Sequence, residues 1–262
     1  MKTIDVSFLI LFLLSVTLPF TGVHAQNSGS YSDKLNRADE LFSEGRESES
    51  LDLYLEVLDE DPENLEALWN TVVIYAKKGF RLEGQSEEEA RSYYEKAREL
   101  AERALEHHPD SGYSHYAMAV AKARLSRLVD TGDKIEIANE IKEHIDEASG
   151  NLENFAPVWH LYGVWHSDVA NTSGAEKTIA NIFTEGLPDA SNEKAEEYIK
   201  RAISLDKSNI LFRLDLARHY LKSDQPEKAR NTLKDLREME PKLKGDEELL
   251  NEAEQLLSEM EL

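Results

Sequence analysis

The side chains most able to ligate a metal or move a proton near neutral pH are the histidines. The chain has eight: His24, His107, His108, His115, His144, His160, His166 and His219. None lies in an H-E-x-x-H motif, and no two are four apart, the spacing that puts two imidazoles on one helical face. His160 and His166 are six apart, on poorly matched faces. There is no G-x-S-x-G, P-loop or G-x-G-x-x-G. The absence of cysteine removes disulfides, thiolate metal sites and thiol nucleophiles. Asp and Glu number 52, but they fall mostly on solvated helix faces, and no spacing selects an acid/base pair. Asn171-Thr172-Ser173 fits the N-glycosylation pattern, which carries meaning only in a eukaryotic secretory context. These residues point away from an enzyme, a resident metal and a cofactor, and towards a binding protein.

The bulk properties agree. Of 262 residues, 40% are hydrophobic and 31% charged, enough for a core under a strongly solvated surface. Only 12 Gly and 7 Pro argue against an all-β chain rich in turns. The net charge of -22 disfavours nucleic acid and anionic membrane surfaces as partners. It reads as solubility or salt adaptation, or as attraction of a basic partner. Residues 1–25 have the layout of a secretory signal peptide: Lys2, an apolar run from Val6 to Phe20, and Val23-His24-Ala25. The run of about 15 residues is short of the roughly 20 that cross a bilayer. Cleavage after about Ala25 implies a periplasmic or secreted protein, with an uncleaved N-terminal anchor as the alternative. Residues 26–30 are polar and flexible in composition.

Residues 31–262 carry a repeat. Back from Pro241 stand Leu236, Leu233, Ala229, Tyr220, Ala217 and Leu216; back from Pro62 stand Val57, Tyr54, Ser50, Leu41, Ala38 and Arg37. Those offsets match the 34-residue tetratricopeptide (TPR) unit, two antiparallel helices in which small residues permit close approach and a closing Pro stops the second helix. Three further units carry insertions. The second, closing at His108-Pro109, has a long connection over Lys77 to Ser86. The third has helices at about 112–128 and 133–148, the latter with Ile137, Ile141, Ile145 and Ala148 on one face. The fourth places Trp159, Tyr162, Gly163 and His166 on its first helix and Ala195, Ile199 and Ala202 on its second, with an inserted helix at about 173–185. A final helix at about 246–261 caps the last apolar face. The expected fold is all-α: a TPR-like solenoid of about five helical hairpins with a C-terminal capping helix.

One stretch is more specific. Val158-Trp-His-Leu-Tyr-Gly-Val-Trp-His166, Val169-Ala-Asn171, Glu176-Lys-Thr-Ile-Ala180 with Ile182-Phe183, and Lys194-Ala-Glu-Glu-Tyr-Ile-Lys-Arg-Ala202 with Leu205-Asp206 resemble the regulator-of-microtubule-dynamics family of TPR proteins. Glu140-Ile-Lys142 with Ile145-Asp146 fits the same pattern. The resemblance covers roughly residues 35–240. It implies the TPR fold and the inserted helix, and carries over no catalytic residue. Eukaryotic members of that family are linked to microtubules, organelle contacts and, in one branch, lipid binding; this chain departs from them in its secretory signal and its acidity.

In a TPR array the first helix of each unit lines the concave face. The corresponding positions here are Trp69, Val73 and Lys77; Tyr113, Tyr116, Val120 and Arg124; His160, Val164 and Asp168; and Leu214, Arg218 and Leu221. This set is more apolar than a peptide-tail clamp, and an exposed apolar groove of this kind needs a ligand or a cover. The expected function is an exported scaffold binding a protein or peptide partner on this face. The alternative is a binder of a lipid or other apolar molecule, with Ile179, Ile182 and Phe183 of the inserted helix as its gate.

Overall fold

A computed structural model of the protein describes residues 31–129, 131–174, 187–243 and 245–260. The expected signal peptide, residues 26–30 and the gate residues Ile179, Ile182 and Phe183 lie outside the described residues. Among the described residues the chain forms eleven α-helices and no strand. Ten pair into hairpins: α1 (Ser32–Ser43) with α2 (Glu47–Glu60), α3 (Leu65–Leu82) with α4 (Glu87–His107), α5 (Gly112–Leu125) with α6 (Thr131–Asn151), α7 (Ala156–Ala170) with α8 (Asn192–Leu205), and α9 (Ile210–Lys222) with α10 (Pro226–Leu236). The last helix, α11 (Asp246–Glu259), packs on α9 and α10. Each second helix also touches the first helix of the next unit, and α3 meets α5 as α7 meets α9. This is a TPR-like solenoid.

The junctions between units repeat in chemistry as well as in length. After α2, the Asn64 side chain accepts the Ala67 N–H and donates to Asp61 Oδ2 at 3.2 Å. After α8, Asn209 caps Phe212 and donates to Asp206 Oδ2 at 3.1 Å. Ser86, Ser111 and Ser191 cap α4, α5 and α8 in the same way, each satisfying a first-turn N–H that has no partner within its own helix.

Close approach within hairpins rests on small residues. Ala38, Ala97, Ala101, Ala104, Ala195, Ala202, Ala217 and Ala229 are all fully buried. At Gly163, where α7 crosses α8, even a methyl group does not fit: a Cβ would stand 2.5 Å from Ile199 Cγ1, 2.8 Å from Ile199 N and 3.0 Å from Ala195 O. A core runs through the first four units, and a second cluster of Ile210, Leu211, Leu214, Leu233 and Leu236 is covered by Leu249, Ala253 and Leu257 of α11. Without α11 that face would be left to water.

Two junctions differ from the sequence expectation. The long connection expected over Lys77 to Ser86 is mostly helix: α3 continues to Leu82 and only residues 83–86 turn. The apolar Gly79 and Phe80 explain this, because Gly79 lies against the Tyr94 ring and extends the α3–α4 contact. The last hairpin departs in the other direction. Its second helix stops at Leu236, well before Pro241, and the chain then turns back so that Asp246 Oδ2 accepts the N–H groups of Lys242 and Leu243 at 2.9 and 2.8 Å. Gly245, with φ 98°, supplies the left-handed residue that admits α11.

Gly163→Ala gains about 1 kcal/mol of helix propensity and pays an overpacking cost of about 1–3 kcal/mol. Two of the three clashes are with backbone atoms, so the cost prevails. The variant is expected to have a lower urea midpoint than the parent, whereas Gly150→Ala, a helical position with open space around it, is expected to match or exceed it.

Candidate functional site

The first helices of the units carry the candidate residues at near-helical-turn spacing, so each helix presents one row. On α3 the row is Trp69, Val73, Lys77 and then Arg81; on α5 it is Tyr113, Tyr116, Val120 and Arg124; on α7 it is His160, Val164 and Asp168; on α9 it is Leu214, Arg218 and Leu221. The N-terminal halves of α3 and α5 contribute aromatic and apolar side chains, and the C-terminal ends contribute cations. A cation in a last turn is favoured by the unsatisfied carbonyls there.

The expectation of an exposed apolar groove is corrected by the burial of these residues. Trp69, Val73, Tyr116, Val120, Arg124, His160, Val164, Asp168 and Leu214 are buried, and Lys77, Tyr113, Arg218 and Leu221 are partly so. The physical reason is that neighbouring units pack along this face. Trp69 stacks on Tyr113 with ring centroids 5.1 Å apart, and both meet the Phe155 edge that opens α7. The His160 ring lies 4.4 Å from Phe212, and Leu214 joins the cluster under α11.

What the face does present is a seam of paired charges. Glu47 receives both Lys77, at 2.5 Å, and Arg81. Burial alone would push the Glu47 carboxyl up, but the two cations outweigh it and hold it below the ordinary value. Arg127 binds Glu83 at 2.5 Å, and the buried Arg124 lies 4.7 Å from the centre of the Phe80 ring, its pKa lowered to about 10 by desolvation. Lys222 of α9 pairs with Asp168 of α7; burial still pushes Asp168 up against that cation. Arg218 donates to Asp215 at 2.6 Å and forks onto Glu252 of α11, while Asp215 is 2.7 Å from His160 Nε2. Burial opposes the charge on Asp215, yet Arg218 and His160 together keep its pKa low.

Between α7 and α9 this seam opens into a small cleft lined by Val164, Ser167, Asp215, Arg218, His219 and Lys222, with room for about one water molecule. His219 Nδ1 sits 3.0 Å from Ser167 Oγ, and desolvation lowers its pKa to about 4, so it is neutral at pH 7. Ser167 and His219 set a hydroxyl beside a neutral imidazole, but the cleft has room for only about one water molecule around them; among the described residues no cluster of three or more His, Cys, Asp or Glu is placed to hold a metal. Of the sequence candidates, Val164 and Arg218 meet here, next to Asp168, while Trp69, Tyr113 and Tyr116 gather in the separate aromatic group. Sequence reasoning missed Glu47, Glu83, Asp215, His219 and Glu252. The legible signal was the pair Asp215 and His219, polar residues one turn apart among the apolar residues of α9.

Asp215→Ala leaves His160 and Arg218 without their shared buried acceptor, and is expected to cost ~3–5 kcal/mol in chemical denaturation, the range for breaking a buried pair from one side. The pH dependence has a definite sign. Between about 6.5 and about 4 the unfolded chain protonates His219 and the folded chain does not, so stability falls on acidification through that window. His219→Gln, which takes up no proton there, is expected to lessen the fall when urea midpoints at pH 7 and pH 5 are compared.

Comparisons with known proteins bear on the family and the fold. The family model for regulator of microtubule dynamics protein 1-3 matches residues 34–261. Regulator of microtubule dynamics protein 1 of Bos taurus is 31% identical over 233 residues, which cover 85% of this chain and 70% of that protein. The protein of the same name from Pongo abelii is 30% identical over 246 residues, covering 90% and 74%. Among solved structures, a thermophilic TPR protein of Thermus thermophilus superposes with a TM-score of 0.64 at 19% identity, covering 87% of this chain and all of that one.

Proposed function

Since the chain belongs to the regulator of microtubule dynamics protein 1-3 family, we propose that it is a non-enzymatic TPR-like scaffold that binds a protein or peptide partner on the face formed by α3, α5, α7 and α9. The observation that carries this reading is the seam of paired charges along that face. Its members are held in place by the folded chain, and several keep one side open to water: the Arg81, Lys222 and Glu252 side chains are 40%, 25% and 33% exposed. A partner can exchange its own charged or main-chain groups for these pairs without creating an unpaired buried charge. Fixed charges of this kind favour selectivity over raw affinity. The α7–α9 cleft is the natural centre of the contact, because it is where the seam admits a small polar group.

The partner is a protein or peptide segment carrying both a basic and an acidic group, matched to Asp168 and Lys222. The acidity of the whole chain speeds the approach of a basic partner. The working location is the exported one implied by residues 1–25, periplasmic or secreted after cleavage near Ala25. No described helix is long and apolar enough to cross a membrane. The lipid alternative depends on a pocket beneath residues 175–184, which lie outside the described residues.

The test uses residues 26–262 to capture partners from the exported fraction, with proteins and extracted lipids both identified by mass spectrometry. Binding of the purified partner is then measured against Lys222→Ala and Arg218→Ala, with circular dichroism as the check on folding. Loss of a paired interface charge costs upward of about 2 kcal/mol, so a drop of at least about 30-fold is expected. Undiminished binding by both folded variants would remove the A-helix face as the docking site. Enrichment of lipid alone would favour the carrier reading.

A further inference from the structure

The third hairpin carries a feature unrelated to the charge seam. His115 of α5 and His144 of α6 face each other with their Nδ1 atoms 3.0 Å apart and their ring centroids 5.2 Å apart. The other nitrogen of His115, Nε2, is 2.9 Å from the Pro109 carbonyl oxygen. A carbonyl only accepts, so His115 carries its proton on Nε2 and turns the Nδ1 lone pair towards His144. Anchoring of one ring nitrogen by a backbone carbonyl is what orients a metal-ligating imidazole and fixes its tautomer. Both rings are half-buried, so the pair is ordered yet reached by solvent.

The spacing suits a small metal ion. Two nitrogens each about 2.0–2.1 Å from a tetrahedral ion stand roughly 3.3 Å apart, and a cis pair on an octahedral ion about 2.9 Å. The Nδ1 separation falls between these values, so metal entry needs only a change of tautomer at His144, from Nδ1–H to Nε2–H, and a small opening of the rings. One turn before His144, Glu140 faces the same side of α6 and is held by Lys122 of α5 at 2.8 Å. Lys122 is the cation that opposes a metal here, and Glu140 is the carboxylate that supports one.

We propose that His115 and His144 form a two-imidazole site for a borderline divalent transition ion such as Zn2+, Ni2+ or Cu2+, with water completing the shell. Two nitrogen donors favour these ions over Ca2+ and Mg2+, which prefer all-oxygen shells. Bound metal would clamp α5 to α6 in the middle of the solenoid.

The experiment is calorimetric titration of tag-free residues 26–262 with ZnCl2 at pH 7, alongside His115→Asn, His144→Asn, the double variant and Lys122→Ala. One equivalent is expected to bind, each single histidine variant to weaken binding by about 10-fold or more, and Lys122→Ala to tighten it. Imidazole 15N spectra supply a readout that does not depend on the variants folding: zinc is expected to move the His115 and His144 Nδ1 signals together. No binding, equal binding by the double variant, or shifts confined to the adjacent His107 and His108 would show that the pair is a plain hydrogen bond, and would overturn the site.

Discussion

Everything in this molecule depends on how closely the two helices of a hairpin can approach. A single hairpin has apolar side chains on more than one face and cannot cover them alone. Alanines at the crossing points, and Gly163 where α7 crosses α8, bring the backbones near enough for large neighbours such as Tyr54, Tyr94 and Ile199 to be buried beside them. Once the hairpins close in this way, the first helix α3 packs on α5 and α7 packs on α9. Their corresponding residues then line up across units, and the chemistry of the A-helix face follows from that alignment.

The alignment places cations at the C-terminal ends of α3, α5 and α9 in a chain whose net charge is strongly negative. Left unpaired and desolvated, each would be costly. Each of Lys77, Arg81, Arg127, Arg218 and Lys222 instead meets a carboxylate brought from another turn or another helix: Glu47, Glu83, Asp215 with Glu252, and Asp168. The pairs link α2 to α3, α7 to α9 and α9 to α11, so the seam also ties neighbouring elements together. Isolated buried pairs contribute little net stability, but they penalise any arrangement that separates them. That makes the seam a device for specifying how the units sit.

Family and fold are consistent with this picture without prescribing the partner. The regulator of microtubule dynamics family model spans the whole hairpin series, and the Trp-His-Leu-Tyr-Gly helix stands at its centre. That helix is buried over almost its whole circumference: Trp159 donates to the Glu153 carbonyl and lies under Arg201, Tyr162 stacks on Tyr198, and Trp165 donates to the Ala138 carbonyl. Its distinctive residues therefore hold α7 among α6, α8 and α9. Function on a solenoid resides in the surface groups that such a scaffold positions.

The sequence by itself determined the architecture. Small residues at repeat offsets, capping Asn and Ser at the junctions, and the closing helix with Leu249, Ala253 and Leu257 on one side are local patterns, and local patterns survive translation into helices because helical periodicity is a short-range property. The rows of candidate residues on α3, α5, α7 and α9 were legible for the same reason. Tertiary structure decided whether those rows were open or covered, since the burial of Val73, Tyr116 and Leu214 depends on units far away in the chain. It also decided the charge partners. Arg81 lies 34 residues from Glu47, Arg127 lies 44 from Glu83 and Lys222 lies 54 from Asp168, and one chain with 52 carboxylates offers every cation many alternatives. His115 and His144, 29 residues apart on two helices, became neighbours only because α5 and α6 pack antiparallel. Pairing across helices is a property of the packed backbone, and no spacing along a single helix encodes it.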